Sequence, residues 1–199
     1  MTFKEYTNMY EIDPSDTNLF IINKGLTDLY GLEKYKNITG IYCSGNFITD
    51  LEPLTNLVNL DIIQIFDNKI AILPNLDNLI NLRLLNLSEN LLTTLPNLDK
   101  LVSLTHLYVD RNRLISLPSL DKLINLESLD LRINRLTSLP NLNCLDKLND
   151  LRYMDNDISY LPYYISIEEV KEYNTLYHRN LNIDNLILDE ECINLGFLK

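Results

Sequence analysis

The sequence has no tryptophan, only five glycines, and no apolar run near the length that a membrane span requires. A membrane-crossing helix needs about 18 continuous apolar residues, so none is expected. Neither G-x-x-x-x-G-K-[ST] nor G-x-G-x-x-G occurs, and so few glycines argue against a phosphate-binding loop. We therefore expect no nucleotide cofactor.

Cysteine and histidine are equally scarce. Cys43, Cys144 and Cys192 are odd in number and far apart, and His106 and His178 lie in distant segments. This arrangement fits neither a disulfide framework nor a zinc site, so we expect no metal and a reducing compartment. The N-terminal stretch MTFKEYTNMYEIDPSD lacks a basic leader followed by an apolar run. The expected location is therefore intracellular, and within the cell cytoplasmic.

The formal net charge is −11 at neutral pH. A strongly acidic surface repels the phosphates of nucleic acids and the anionic headgroups of membranes. We therefore expect neither nucleic acid nor membrane as the partner.

The chain repeats itself every 22 residues in the frame L-x-x-L-x-L-x-x-N-x-L. In the third copy the frame is formed by Leu82, Leu85, Leu87, Asn90 and Leu92. Six copies hold this period without a gap, as their asparagines show: Asn46, Asn68, Asn90, Asn112, Asn134 and Asn156.

The frame predicts a short strand followed by a return path. Leu85 and Leu87 are two residues apart, so they point to one face of a strand. One such coil cannot bury its own leucines, whereas stacked coils bury them against each other. The proline that recurs in L-P-x-L removes a backbone donor and disfavours helix before it, so we expect an extended or 3₁₀ return path.

The recurring asparagine has a structural explanation. Where the chain leaves the strand, its backbone groups have no ladder partner, and an asparagine amide offers two donors and one acceptor to them. We expect these six asparagines to link successive coils, and we assign no chemistry to them.

The frame resembles the leucine-rich repeat family, in particular its 22-residue class of phosphatase-regulator-like and internalin-like proteins, and it covers roughly Asp16 to Val170. The resemblance implies an α/β-type solenoid, a horseshoe with a concave parallel β-sheet and extended or 3₁₀ convex segments. It also implies a surface that binds other proteins.

We interpret residues 1–199 as a single domain of this kind. Residues 1–15 are expected to form an N-terminal cap, 16–37 a degenerate first repeat, 38–169 six full repeats, and 170–199 a degenerate last repeat with a C-terminal cap. In this register Glu172 occupies a strand position on an eighth rung.

The outward strand positions form columns along the concave face. The N-terminal half of these columns is apolar and the C-terminal half is charged, and we take the following as candidate partner-binding residues: Phe20, Tyr42, Ile62, Phe66, Leu84, His106, Tyr108, Asp110, Asp130, Arg132 and Arg152. Two structural alternatives remain open here. For the apolar half, the N-terminal cap folds over part of it or the register is shifted at the ends. For the charged half, Asp110 pairs with Arg132 and Asp130 with Arg152.

We interpret the chain as a non-enzymatic scaffold that binds a protein partner on its concave face, with no catalytic residues. The main alternative is an adaptor or regulatory subunit of an enzyme complex whose catalytic activity lies on another chain. A hydrolase built on Asp130 and Asp150 is a weaker third reading. Contact between the local arginines and phosphate is disfavoured by the overall acidity.

Overall fold

A computed structural model describes residues 1–13, 15–159, 161 and 166–172 of the chain. Among these residues, seven short strands form one parallel sheet in sequence order. The strands are β1 (Asn18–Phe20), β2 (Gly40–Tyr42), β3 (Ile62–Gln64), β4 (Leu84–Asn86), β5 (His106–Tyr108), β6 (Ser128–Asp130) and β7 (Asp150–Arg152).

The register of the sheet follows directly from the repeat length. Leu85 of β4 is paired with Ile63 on one side and Leu107 on the other, and each pair is 22 residues apart in sequence. These three middle residues are fully buried, because every second residue of a strand points to the same face. The core is therefore a column of aliphatic side chains that runs the length of the sheet.

The return path is held by tight turns between leucines three residues apart. The N–H of Leu79 donates to the carbonyl of Leu76 at 2.9 Å, and the N–H of Leu82 donates to the carbonyl of Leu79 at 3.0 Å. With three residues per 3₁₀ turn, such leucines all face the core. Two segments are regular 3₁₀ helices, Leu32–Lys34 and Glu52–Leu54. The predicted solenoid with a parallel sheet and a 3₁₀ return path is thus confirmed.

The helix α1 (Phe3–Met9) packs on the first coil. It begins with a capping box, because the Thr2 hydroxyl accepts from the backbone of Glu5 and the Glu5 carboxylate accepts from the backbone of Thr2. Phe3 is buried and meets the ring of Tyr35 edge-on, with centroids 6.1 Å apart. Apolar side chains of α1 therefore cover this end of the core.

A second helical stretch, residues 167–172, follows the last strand. The Ser166 hydroxyl accepts from the N–H of Glu169 at 3.2 Å, and the N–H of Ser166 donates to the Glu169 carboxylate at 2.7 Å. This capping box starts a helix that extends through Glu172, the first position of the expected eighth strand, so the placement of Glu172 on a strand is wrong. His178, Cys192 and the remainder of the expected C-terminal cap lie outside the described residues.

Candidate protein-binding surface

The asparagine side chains tie each coil to the one before it. In the third full coil, Nδ2 of Asn90 donates to the carbonyls of Ile65, Leu87 and Ser88, each at 3.1 Å, and Oδ1 accepts from the N–H of Ile70 at 3.0 Å. Ile65 and Ile70 belong to the preceding coil. Nδ2 donates to three carbonyls and Oδ1 accepts from the preceding coil in the same way at Asn46, Asn68, Asn112, Asn134 and Asn156.

The residue before each of these asparagines has a left-handed backbone. The coils from the second full repeat onward have φ between 53° and 58° at this position, which holds Asp67, Glu89, Arg111, Ile133 and Asp155. The first full repeat has glycine there, Gly45, with φ 68°. The left-handed residue turns the chain out of the strand. It therefore fixes the edge of the concave face once per coil.

Three outward positions per coil form the concave face: the first and third residues of each strand, and the second residue after it. Strand pairing aligns the first two positions as columns, so that Phe20 lies beside Tyr42 and His106 lies beside Leu84. Neighbouring rungs of a sheet are about 4.8 Å apart, close enough for adjacent side chains to touch.

The N-terminal half of this face carries an apolar patch, made of Phe20, Ile22, Tyr42, Ile62, Phe66 and Leu84. Phe20 is 62% exposed, and Ile22 and Phe66 are also exposed, so α1 does not cover them. The rings of Phe20 and Tyr42 stack with centroids 4.5 Å apart and planes 14° apart. The patch therefore presents ordered aromatic surface to solvent.

His106 and Tyr108 occupy the middle of the face. Both are half-buried, and their rings meet edge-on with centroids 5.9 Å apart. Nδ1 of His106 lies 2.8 Å from the hydroxyl of Thr105, which fixes the orientation of the imidazole. These two rings extend the aromatic surface toward the charged half.

In the charged half, Asp130 is buried beneath arginines. Its side chain is 5% exposed, and its carboxylate accepts from Nη2 of Arg132 at 2.6 Å and lies 3.7 Å from Nη1 of Arg152. The pair of Asp130 with Arg152 is present as expected. Hydrogen bonds to Asp130 raise the pKa of the Arg132 guanidinium, so it stays charged. The guanidinium groups of Arg132 and Arg152 therefore face solvent above Asp130, beside the 37% exposed side chain of Asp150.

Arg132 binds Asp130 of its own coil and not Asp110 of the neighbouring one. The backbone N–H of Arg132 also donates to the Asp130 carboxylate, at 3.1 Å, which turns the arginine back over that side chain. The carboxylate of Asp110 accepts from the Ser88 hydroxyl. Both groups of the expected Asp110 and Arg132 pair are therefore engaged elsewhere.

The two carboxylates considered for hydrolysis are both held by neighbours. Asp150 accepts from the Ser128 hydroxyl at 2.9 Å and from Nε of Arg152 at 3.0 Å, and Asp130 is bound by Arg132. Throughout the described ranges, no group of three or more His, Cys, Asp or Glu side chains is placed to hold a metal ion. The carboxylates of this half are thus engaged in hydrogen bonds and ion pairs within the sheet.

Solved leucine-rich repeat structures share this architecture. A leucine-rich repeat protein of Leptospira interrogans matches with a TM-score of 0.71 and 28% identity, over 81% of this chain and 43% of that one. A second match is the leucine-rich repeat ectodomain of the membrane receptor kinase GASSHO1/SCHENGEN3 from Arabidopsis thaliana, solved in complex with Casparian strip integrity factor 2. Its TM-score is 0.64 and its identity 29%, over 70% of this chain and 18% of that one. An internalin of Listeria monocytogenes matches with a TM-score of 0.52 and 27% identity, over 71% of this chain and 48% of that one.

The chain is a leucine-rich repeat solenoid. It spans less than half the length of each of these three proteins. No protein-family model matches it, and no curated protein does. Within the described part of this leucine-rich repeat solenoid, no helix is long and apolar enough to cross a membrane.

Sequence reasoning missed one surface of the solenoid. An exposed aliphatic residue recurs every 22 residues between two buried leucines of the return path, at Val58, Ile80, Val102 and Ile124. The signal was present in the segments NLVNL, NLINL, KLVSL and KLINL. In each, the middle residue is aliphatic although it lies between leucines spaced three residues apart, where polar residues would be expected. We call these four residues the return-path row.

Proposed function

We propose that this solenoid is a non-enzymatic scaffold that binds a protein partner on its concave face. The observation that carries the proposal is the apolar patch, in which Phe20 is 62% exposed and stacked on Tyr42. Monomeric proteins seldom expose a large contiguous apolar surface, and aromatic and arginine side chains are the usual anchors of interfaces. Both kinds of anchor occur on this one face.

The backbone beneath these side chains supports the same function. Each coil is tied to the preceding one through an asparagine, so the outward columns are held in fixed register. A rigid surface loses less conformational entropy on binding than a flexible one, which leaves more of the contact energy as affinity. The Arabidopsis ectodomain, which has the same fold, was solved with a bound protein factor.

The side chains that could act as nucleophile or base support the absence of catalysis that we propose. Burial raises the pKa of the Cys43 thiol to about 12, so it carries almost no thiolate at neutral pH. Asp130 and Asp150 are bound by arginines. If the partner is an enzyme, this chain is its adaptor or regulatory subunit, and the catalytic groups belong to the other chain.

The experiment compares two triple variants as baits for proteins of the native cell. The concave variant carries Phe20→Ala, Phe66→Ala and Tyr108→Ala, and the return-path variant carries Val58→Ala, Ile80→Ala and Ile124→Ala. Each removes three solvent-accessible apolar side chains outside the core, and circular dichroism checks that both fold.

Quantitative mass spectrometry then compares what each bait retains. We expect a protein that the unaltered chain retains to be lost from the concave variant and kept by the return-path variant. Loss from the return-path variant with retention by the concave variant would place the interface on the return path and overturn the proposal. Identification of the retained protein also shows whether it is an enzyme.

We further propose that the solenoid works in a reducing, cytoplasmic compartment. Cys43 and Cys144 are both free thiols, and Cys144 is exposed. Exposed free thiols persist where the surroundings are reducing. Fractionation of native cells with an antibody to the chain tests this location, and recovery mainly from the external medium would contradict it.

A further inference from the structure

The arginines of this acidic chain are concentrated in one place. Of the seven arginines, five lie between residues 111 and 152, although the formal net charge of the whole chain is −11. We call this set the arginine cluster: Arg111, Arg113, Arg132, Arg135 and Arg152. The side chains of Arg111, Arg132 and Arg152 are between 42% and 57% exposed, and Arg113 and Arg135 are exposed as well.

The fold brings four of these arginines together on two neighbouring coils. The N–H of Arg111 donates to the carbonyl of Arg132 at 2.9 Å, so their backbones are in contact across the two coils. Arg113 and Arg135 each follow a coil-linking asparagine and are therefore equivalent positions on the same two coils. The cluster thus lies along the edge of the concave face, where the chain leaves the strands.

The two carboxylates beside Arg111 and Arg132 are mostly buried, and the more exposed carboxylate of Asp150 is paired with Arg152. The side chain of Asp110 is 15% exposed and that of Asp130 is 5% exposed, whereas the guanidinium groups around them face solvent. Among the described residues, Arg113 and Arg135 form no ion pair and no side-chain hydrogen bond. These two guanidinium groups can therefore bind a partner without the loss of any contact within the described residues.

Acidic residues mark the limits of the cluster. Glu89 holds the left-handed position on the coil before the cluster, Asp155 holds it on the coil of Arg152, and both are exposed. Ile133 holds that position between them, next to Arg132 in sequence, and is exposed. The positive surface therefore lies between two acidic residues and includes one exposed apolar side chain.

We propose that the arginine cluster docks an acidic polypeptide segment of the partner that the concave face binds. The proposal rests on the proposed function and names the chemistry of the partner. An arginine guanidinium matches a carboxylate with two parallel hydrogen bonds, which gives both strength and orientation. A long polyanion such as nucleic acid is repelled by the net negative charge of the rest of the chain, whereas a short acidic segment meets only the cluster.

The test measures fluorescence anisotropy of a labelled peptide, Gly-Asp-Glu-Asp-Leu-Glu-Asp-Gly, against a matched peptide in which the acids are replaced by Asn and Gln. The test variant is Arg113→Glu with Arg135→Glu, because these side chains hold no other group in place. The control is Lys100→Glu with Lys122→Glu, two exposed lysines on the return path of the same region, with the same change of charge.

We expect the unaltered chain to bind the acidic peptide and not the amide peptide. The arginine variant is expected to lose about tenfold or more in affinity, as loss of close charge pairs implies, while the lysine control changes little. Equal binding of the two peptides, or equal loss in both variants, would overturn the proposal. Stronger binding of a twelve-residue oligothymidylate than of the acidic peptide would do the same, since it would assign the cluster to phosphate groups.

The same arginine variant also separates this proposal from the proposed function. If it retains every protein that the unaltered chain captures while the concave variant loses one, the acidic segment is excluded and the concave interface stands. If both variants retain every captured protein, the concave interface itself fails.

Discussion

The side-chain oxygen of Asn90 accepts a hydrogen bond from the backbone N–H of Ile70, one coil earlier in the solenoid, at 3.0 Å. The amide nitrogen of the same side chain reaches the carbonyl of Ile65, on that earlier coil, at 3.1 Å. One buried amide therefore satisfies backbone groups of two coils that have no ladder partner. The stability of the stack depends on this row more than on any exposed contact.

Replacing Asn90 with alanine is expected to lower the free energy of unfolding by about 2–4 kcal/mol. The buried N–H of Ile70 loses its partner, which costs about 1–3 kcal/mol, and the carbonyls of Ile65, Leu87 and Ser88 each lose one of two hydrogen bonds. Asn86→Ala on the same coil is the control, because Asn86 points to the concave face and its Oδ1 accepts one hydrogen bond, from the N–H of Ser88. Urea denaturation measures both. An equal decrease in the free energy of unfolding for Asn90→Ala and Asn86→Ala would show that the buried amide contributes no more than the exposed one.

The strands and their register could be predicted because the repeat length is constant. A period of 22 residues places Leu85 beside Leu107 whatever the neighbouring side chains are, and the buried columns follow from the alternation of a strand. The extended or 3₁₀ return path was predicted from the recurring proline, which disfavours a helix before it. These features are fixed by spacing alone.

Features that depend on which of several neighbouring side chains forms a contact could not be predicted from the repeat spacing. Arg132 had two carboxylates within reach, and only the local turn decided that it would bind Asp130. The helix that contains Glu172 begins because Ser166 and Glu169 form a capping box, a local signal that overrides the repeat period. Sequence periodicity predicts positions, whereas contacts among neighbours decide which charges face solvent.

Ile133 is the β-branched residue in the left-handed row, with φ 53°. A β-branched side chain at this angle is strained by about 1–3 kcal/mol, whereas asparagine tolerates it well. We expect Ile133→Asn to raise the free energy of unfolding by about 1 kcal/mol. Ile115→Asn is the control, since Ile115 is also an exposed isoleucine but is not among the described residues with positive φ. A midpoint in urea that shifts no further for Ile133→Asn than for the control would contradict the strain.

The two described cysteines are expected to react at very different rates. Cys144 is exposed, whereas burial of Cys43 raises the pKa of its thiol to about 12 and blocks access to it. In a Cys192→Ser protein at pH 8, we expect 5,5′-dithiobis(2-nitrobenzoate) to modify one thiol quickly and the second only after denaturation. Rapid reaction of both thiols in the native protein would place Cys43 outside the core.

The same burial gives the stability a pH dependence. The pKa of Cys43 is about 12 in the folded state, against 9.0 for an ordinary cysteine, so its contribution to stability is complete below pH 9. As the pH rises from about 9 towards 12, the unfolded chain loses the proton and the contribution falls by up to about 1.4 kcal/mol per pH unit. We expect the free energy of unfolding of Cys43→Ala, measured by urea denaturation, to fall less steeply with pH over this range than that of the unaltered chain. Equal slopes in the two proteins would contradict the raised pKa of Cys43.

Gly40 leaves the space in which the aromatic pair of the apolar patch is ordered. A methyl group at this position would lie 3.0 Å from the Tyr42 ring and 2.1 Å from Oδ1 of Asn18, and the Tyr42 ring is the one that stacks on Phe20. We expect Gly40→Ala, measured in an Asn18→Ala background that removes the nearer contact, to cost about 1–3 kcal/mol because the ring must shift.

The matched measurement repeats Gly40→Ala in a chain that also carries Tyr42→Ala. If the ring is the obstacle, the added methyl group costs much less there, and nuclear Overhauser contacts between the rings of Phe20 and Tyr42 weaken only in the chain that keeps the tyrosine. The same loss of stability with and without the ring would mean that the backbone of β2 rejects the methyl group. The stacking of the Phe20 and Tyr42 rings would then not depend on glycine at position 40.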